Sequence, residues 1–164
     1  MKWSFQELLE KAHGPIVIGS AADIRLPNRL LAIDPGETIG WAYFEKEKLV
    51  TWGKEATKAE FGNAVNWVVD IFAEYMPEAL VMEDYRIYKW KTEQHAWSDV
   101  YTLRVIGALE FWCHRNNVPY DKQTAQIAKQ FCTDDKLKAW APGVTGAHSK
   151  DAVRHGLYWL LFHK

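Results

Sequence analysis

The feature that most constrains the fold of this chain is a short apolar run that ends in an acid. Residues 30–33 read Leu-Leu-Ala-Ile and lead directly into Asp34, Pro35 and Gly36. A continuous apolar run that is bounded by Pro and Gly is typical of a strand buried on both faces. We therefore expect Asp34 at the end of a central strand, where its charge needs a partner or a bound cation.

Length and composition fit one domain around such a strand. The chain has 164 residues, of which 48% are hydrophobic. No apolar run approaches the roughly 20 residues that cross a bilayer, and no secretory signal is visible, so we expect a cytoplasmic protein. Cys113 and Cys132 alone form neither a disulfide framework nor a cysteine zinc site. The net charge of −1 argues against binding to nucleic acid by overall charge alone, although an acidic metal site would offset basic residues in that sum.

Periodicity and turn signals predict the order of the elements. Three strands with short connections, the third ending at Gly53, indicate an antiparallel meander. Helices are expected to begin at two capping boxes, Ser4 with Glu7 and Thr57 with Glu60. The predicted strands are residues 30–34, 39–45, 48–52, 79–82 and 118–120, and the later helices are residues 92–115, 124–131, 135–140 and 147–162.

This order predicts an α/β fold with a mixed five-stranded sheet, three antiparallel strands and then two parallel ones, and helices on both faces. We expect residues 1–28 to be an N-terminal extension and residues 29–164 to form the domain. The helix at 92–115 is expected to turn Val100, Leu103, Ile106 and Phe111 inward. The last helix is expected to bury Ala152, Val153, Gly156, Leu157 and Leu160.

Acidic residues follow two of the buried strands, and a third acid lies near the start of the last helix. Asp34 ends the first strand and Glu83 the fourth, and parallel neighbours bring such ends to one edge of the sheet. Asp151 has His148 one helical turn before it, on the same face. If the last helix crosses that edge, the four side chains converge. Three carboxylates and one imidazole suit Mg²⁺ or Mn²⁺ better than zinc, and could hold two ions about 4 Å apart for phosphoryl transfer.

Each of these residues also has an ordinary structural explanation. Asp34 could form a turn before Pro-Gly, Glu83 could end a solvated strand, and Asp151 could be an exposed acid that the helix dipole favours. His148 could point to solvent. Three acids on elements that meet are less simply explained by coincidence. Two nearby residues, Asp84 and His155, are expected to have structural or supporting roles.

Together, the three acidic segments resemble those of the RuvC-type Holliday junction resolvases, which have the ribonuclease H-like fold. The matching segments are Ile-Asp-Pro-Gly from Ile33 followed three residues later by Gly-Trp, Val-Met-Glu-Asp from Val81, and His-Ser-Lys-Asp-Ala from His148. The resemblance covers roughly residues 30–163. It implies a homodimer that cuts four-way DNA junctions by symmetric nicks with Mg²⁺, in DNA recombination and repair. It also implies that Asp34, Glu83 and Asp151 are metal ligands and that His148 takes the fourth ligand position.

The chain departs from the family pattern in two places. The first 28 residues have no counterpart in the typical member, which would suit a resolvase of a phage or mobile element. The family also places an aromatic wedge just after its second acid, where this chain has Arg86 between Tyr85 and Tyr88. Either tyrosine could serve as the wedge.

Basic and aromatic residues alternate after the second acid, a pattern that suits phosphate contact and base stacking. We expect Tyr85, Arg86, Tyr88, Lys89 and Lys91 to contact DNA there, although the segment could instead be a solvated loop with its aromatic residues tucked beneath. Lys150, beside Asp151, is expected to contact a phosphate. Other basic residues around this edge, Lys122, Lys129, Lys136, Lys138 and Arg154, are expected to add positive charge.

The sequence therefore favours a metal-dependent endonuclease acting on branched DNA, with Mg²⁺ as cofactor, Mn²⁺ as substitute and four-way junctions as substrate. Three alternatives remain open at this point. They are a ribonuclease H-like enzyme acting on RNA–DNA hybrid, a branched-DNA-binding module without catalysis, and an actin-like ATPase domain, which also opens with Asp-x-Gly. The last lacks a second phosphate loop and the length for two lobes.

Overall fold

The structure of the protein is a computed structural model that describes residues 3–14, 26–57, 60–85 and 96–163, with side chains omitted for 96–99. Eleven helices and strands lie in these ranges. They are α1 (Phe5–His13), β1 (Arg29–Asp34), β2 (Thr38–Glu45), β3 (Lys48–Ala56), α2 (Phe61–Tyr75), β4 (Ala79–Glu83), α3 (Ala96–Asn116), β5 (Tyr120–Gln123), α4 (Ala125–Phe131), α5 (Asp134–Trp140) and α6 (Ala147–Phe162).

The five strands form one mixed sheet in the order β3-β2-β1-β4-β5. Strands β1, β2 and β3 pair antiparallel, while β4 lies parallel to β1 and β5 lies parallel to β4. The predicted five-stranded sheet is therefore confirmed. Because β1, β4 and β5 run in the same direction, their carboxyl ends share one edge of the sheet.

Helices cover both faces of the sheet, as the alternation along β1 requires. Leu30 and Ala32 point into a core formed with α1, α5 and α6, whereas Leu31 and Ile33 point into a second core formed with α2 and α3. Both cores contact the central strand, which confirms that it is buried on both faces. In the described ranges, no helix is both long enough and apolar enough to cross a membrane.

Two strands, β3 and β5, differ from their predicted bounds by more than one residue. Strand β3 continues past Gly53 to Ala56, where it still pairs with β2. The indole of Trp41 on β2 occupies the space that a side chain at Gly53 would need. Glycine therefore serves here for close packing within a strand, not for a turn. Strand β5 begins at Tyr120, two residues later than predicted, since Asn117 has a positive φ and Val118 still bonds to the end of α3.

The predicted inward face of α3 is wrong. Val100, Leu103 and Phe111 are 45%, 40% and 65% exposed, and Ile106 alone among the predicted residues is buried. The buried face is instead the four-residue series Tyr101, Val105, Leu109 and Cys113. Apolar residues lie on two faces of α3, so periodicity alone could not select the face that meets the sheet.

One predicted helix cap is confirmed and the other is wrong. Ser4 and Glu7 form the expected capping box at the start of α1. Helix α2 is capped by Glu60 without a side-chain bond, so Thr57 and Glu60 form no box. The Thr57 hydroxyl instead donates to the carbonyl of Glu37 at 2.9 Å and pairs with the hydroxyl of Tyr101, which ties the end of β3 to α3.

Helix α1 packs on the same core as α6. Phe5 and Leu9 are buried against it, and the His13 ring donates to the carbonyl of Leu160 at 2.6 Å. The indole of Trp140 also donates to the carbonyl of Trp3 at 3.4 Å. This part of the predicted extension is therefore packed on the domain.

Candidate active site

Three polar residues end the three parallel strands at one edge of the sheet. Asp34 ends β1, Glu83 ends β4 and Gln123 ends β5. The register pairs Glu83 with Gln123, and pairs Ile33 with Met82 one residue before the acids. Asp34 and Glu83 are therefore brought side by side, as the sequence predicted.

The start of α6 is held across this edge by β2 and β3. Gly40 on β2 lies against the main chain of His148, and a methyl group at Gly40 would overlap that carbonyl. The hydroxyl of Ser149 donates to the carbonyl of Gly53 on β3 at 2.8 Å. These two close approaches fix where α6 begins and place His148 over Asp34.

Asp34 is the most deeply buried of the four predicted metal ligands. It is 7% exposed, and Nδ1–H of His148 donates to its Oδ2 at 2.8 Å. Burial raises the pKa of Asp34 to about 6, and the negative charge of Glu83 and, more weakly, of Asp151 adds to the rise. The three acids therefore lie close enough to influence one another, which is the arrangement that a cation relieves.

Asp151 is held by two basic side chains. Its Oδ1 accepts a bond from the guanidinium of Arg154 at 2.7 Å, and its Oδ2 pairs with the ammonium of Lys129 at 2.9 Å. Arg154 is buried and also donates to the carbonyl of Cys132 at 2.9 Å and pairs with Asp134, so it joins α6 to the start of α5. These bonds neutralise Asp151 as the structure stands.

Lys129 is influenced by all three acids. Burial is the largest single influence and would lower its pKa, but the hydrogen bond and charge of Asp151, together with the charges of Glu83 and Asp34, outweigh burial and raise the pKa. Lys129 is thus charged beside the cluster, although its side chain is half exposed. A lysine in this position can exchange a carboxylate for a phosphate oxygen, since both are anionic oxygen acceptors.

Glu83 meets a histidine that the helix buries completely. Nε2 of His155 lies 3.4 Å from Oε2 of Glu83, and Nδ1 lies 3.1 Å from Oε1 of Gln123. His155 is 1% exposed, so the expected supporting role for this residue agrees with its place in the fold. Asp84 follows β4 and bonds through its main-chain N–H to the carbonyl of Gln123 at 2.7 Å, as a structural residue would.

The four predicted ligands fit a divalent cation by their chemistry, because carboxylate oxygens and one imidazole suit Mg²⁺ or Mn²⁺. As the side chains stand, no three His, Cys, Asp or Glu residues in the described ranges are grouped so that they could hold a metal ion. Each acid is turned instead to a partner of the chain: Asp34 to His148, Glu83 to His155, and Asp151 to Lys129 and Arg154. Binding an ion would require Asp34 and Asp151 to exchange these partners, whereas Glu83 can keep His155 on Oε2 and offer its second oxygen, Oε1, to the ion.

Only two of the predicted DNA-contacting residues can be located. Tyr85 is half-buried against the core on the α2 and α3 side of the sheet. Lys150 is half-buried and lines an open groove of about 610 Å³ together with Lys129, Asp151 and Arg154. The other predicted contacts, Arg86, Tyr88, Lys89 and Lys91, lie outside the described residues.

Two contacts at the site were not predicted from the sequence. The pairing of Lys129 with Asp151 joins α4 to α6, and no local spacing could have indicated it. The pairing of Arg154 with Asp151 does have a local signal, because residues three apart on a helix are neighbours. Gln123 gave no signal, since the predicted strand ended three residues before it.

Comparisons with known proteins extend this description. No family model and no curated protein matches the sequence. The structure is similar to Thermus thermophilus RuvC in complex with a Holliday junction substrate, with a TM-score of 0.64, 18% identity, and coverage of 82% of this chain and 93% of that one. A second T. thermophilus RuvC structure gives a TM-score of 0.60 at 17% identity, covering 82% of this chain and 94% of that one.

A eukaryotic structure has the same architecture. The yeast mitochondrial Holliday junction resolvase Ydc2 matches with a TM-score of 0.55 and 13% identity, over 96% of this chain and 92% of that one. Identities this low establish a shared fold and leave activity to be argued from the site. The chain has the ribonuclease H-like fold of the RuvC-type Holliday junction resolvases.

Proposed function

We propose that this protein is a metal-dependent endonuclease that resolves four-way DNA junctions by hydrolysing phosphodiester bonds. The observation that carries the proposal is the position of Asp34, a buried acid that is bonded to His148 at the start of α6 and lies beside Glu83 at the ends of the parallel strands β1 and β4. A fold shared with two junction resolvases supports the same reaction.

In this proposal Asp34, Glu83, Asp151 and His148 are the metal ligands and catalytic residues. They would hold Mg²⁺, or Mn²⁺ as a substitute, and the donor set is large enough for two ions. When bound, such ions supply an activated water and stabilise the charge on the leaving oxygen. Asp34 provides a rigid anchor because its strand is buried on both faces.

The basic residues at the groove have a separate role. Lys129 pairs with Asp151, and its ammonium would be available to a DNA phosphate if Asp151 held a cation instead. Lys150 lines the same groove and is proposed to contact phosphate as well. Tyr85, Arg86, Tyr88, Lys89 and Lys91 are proposed to contact the branch of the junction by phosphate binding and base stacking.

The direct test is cleavage of a synthetic four-way junction, with linear duplex and RNA–DNA hybrid as controls, in Mg²⁺, Mn²⁺ and EDTA. We expect symmetric nicks in the junction with either metal and none in EDTA. Preferential cutting of the hybrid would favour the ribonuclease alternative. Junction binding without cutting in either metal would indicate a DNA-binding module and contradict the proposal.

Asp34→Asn separates chemistry from folding in the same assay. We expect this variant to bind the junction and to lose cleavage by about 10³-fold or more, because one anionic ligand is replaced by a neutral one of the same shape. Lys48→Gln, a change in an exposed lysine where β3 begins, at the end of the sheet opposite Asp34, serves as the control and should cut at the wild-type rate.

We also propose that the protein acts as a homodimer, because two symmetric nicks need two active sites. An apolar stripe on α3 supports this assembly. Val100, Leu103 and Phe111 lie at helical spacing on the side that faces away from the sheet, and all three are exposed.

A further inference from the structure

We propose that His155 is a positioning residue for Glu83 and that Gln123 sets the orientation of its ring. This inference rests on the proposed function, in which Glu83 is a metal ligand. It concerns a histidine to which that function assigns no part, although the residue is among the most deeply buried polar groups in the described ranges.

The ring of His155 joins one helix to two strand ends. His155 lies on α6 one turn after Asp151, and its two nitrogens face the residues that end β4 and β5. Glu83 and Gln123 are themselves paired in the sheet register, so the ring meets two neighbouring side chains at one edge. A displacement of Glu83 would therefore break a contact that spans three elements.

The hydrogen-bond partners of the His155 ring decide which nitrogen carries the proton. The carboxylate of Glu83 can only accept, so Nε2 of His155 must be the donor in this contact. In a neutral ring Nδ1 then carries a lone pair and needs a donor of its own. Oε1 of Gln123 faces Nδ1 at 3.1 Å in the structure, and a half-turn of the amide exchanges its oxygen and nitrogen, so that the nitrogen donates to Nδ1.

Burial makes this arrangement selective. With His155 1% exposed, solvent cannot satisfy either nitrogen, so Gln123 is the group that fixes the tautomer. The fixed Nε2–H then holds Oε2 of Glu83 against α6. A ligand that is held in place before the ion arrives loses less freedom on binding, which strengthens the binding of the ion.

The experiment measures Mn²⁺ binding directly, by electron paramagnetic resonance of free Mn²⁺ in a titration of the full-length protein, alongside thermal unfolding. The variants are His155→Leu, His155→Gln and Gln123→Leu. His163→Gln is the matched control, because His163 bonds to Asp121 and stacks on Trp159 beyond the end of α6.

We expect His155→Leu to raise the Kd for Mn²⁺ by about tenfold or more. His155→Gln should recover most of this affinity, because the amide N–H of glutamine reaches nearly as far as Nε2 of histidine. Gln123→Leu should give an intermediate loss, and His163→Gln none. The Mg²⁺ concentration for half-maximal junction cleavage should shift in the same order, with a smaller change in the rate at saturating Mg²⁺.

Several outcomes would overturn the inference. If His155→Leu folds and binds Mn²⁺ as tightly as the wild type, the inference is overturned and the proposed function stands. The inference is also overturned if His155→Gln does not recover the Mn²⁺ affinity that His155→Leu loses. If His155→Leu does not fold, unchanged affinity in Gln123→Leu decides against the inference. A wild-type protein that neither binds Mn²⁺ nor cuts the junction would overturn this inference and the proposed function together.

Discussion

Asp34 is an acid that folding places where its charge is disfavoured. Its neighbours offer one imidazole and two further carboxylates, and burial adds the larger part of the rise in its pKa. The folded protein therefore holds a proton on Asp34 at pH values where the unfolded chain has already released it. This residue links the electrostatics of the candidate site to the stability of the whole domain.

We expect Asp34→Asn to stabilise the protein at pH 8 in EDTA. The pKa of Asp34 rises from 3.8 in the unfolded chain to about 6 in the folded protein. Protonated Asp34 therefore contributes its full stability to the folded state below pH 3.8, and this contribution is lost as the pH rises through about 6. The loss corresponds to about 3 kcal/mol at pH 8. Thermal unfolding at pH 4 and pH 8 checks this prediction.

The same variant distinguishes charge from shape. The difference between wild type and Asp34→Asn should vanish near pH 4, where the wild-type acid is protonated as well. Added Mg²⁺ should stabilise the wild type at pH 8 and leave the variant nearly unchanged, because a ligand that binds only the folded state raises its stability. An equal gain of stability at both pH values would contradict the electrostatic explanation.

The three acids and His148 could be located from the sequence, but the two basic groups that pair with Asp151 could not. Asp34, Glu83 and Asp151 each follow a local pattern, a buried strand or the first turns of a helix, and such patterns are readable from one sequence. Lys129 approaches Asp151 from another helix, and the contact depends on how α4 packs on α6. Their meeting is a tertiary result that no spacing along the chain could have predicted.

At the scale of elements, α6 is the helix on which the site depends most. It packs across β1 and β2, and its glycine at 156 lies directly against the ring of Phe44. A side chain at this position would hold the helix away from the sheet. The position of His148 and Asp151 over the acids is thus set partly by a residue two turns further along the helix.

We expect Gly156→Ala to destabilise the protein by about 1–3 kcal/mol, because its methyl group would overlap the buried ring of Phe44. Gly62→Ala on α2 is the matched control, since a methyl group there meets nothing within 4 Å. The control should be neutral or stabilising by up to about 1 kcal/mol, as alanine favours helix over glycine. Chemical denaturation of both variants measures the difference, and equal effects would contradict the close packing.

Most elements could be predicted, because apolar periodicity and turn residues mark them directly. The predicted bounds of the last helix agree with α6, and its five predicted inward residues are all buried. The errors fell where a residue had two possible uses. Gly53 marked the end of a strand in sequence terms but makes room for Trp41, and α3 carries apolar residues on an outer face as well as an inner one.

At the scale of the whole molecule, α1 contributes to the core although it precedes the sheet in the chain. We expect Leu9→Ala to destabilise the entire domain by about 2–4 kcal/mol, because Leu9 is 2% exposed in the core shared with α6. Leu8→Ala, at a partly buried neighbour, should cost less. Global unfolding by denaturant measures both, and an unchanged midpoint for Leu9→Ala would mean that α1 is an appendage.

The proposed homodimer leads to a second prediction at this scale. Phe111→Glu should dissociate the dimer and lower junction cleavage with little loss of stability, because Phe111 is 65% exposed in the single chain. Ile127→Glu on α4, where the isoleucine is 42% exposed, is the control and should leave assembly unchanged. Analytical ultracentrifugation compares the masses, and a wild-type monomer at micromolar concentration would contradict the dimer.

The close approach of α6 to Gly40 limits which amino acids this chain can accept at position 40. Because the backbone of α6 rests on it, the nineteen other amino acids would each lift the helix from the second strand and carry His148 away from Asp34. In a library randomised at position 40 and selected for activity, glycine codons should be the survivors. Next to it, Trp41 is only partly buried, and that position should accept other large aromatic residues.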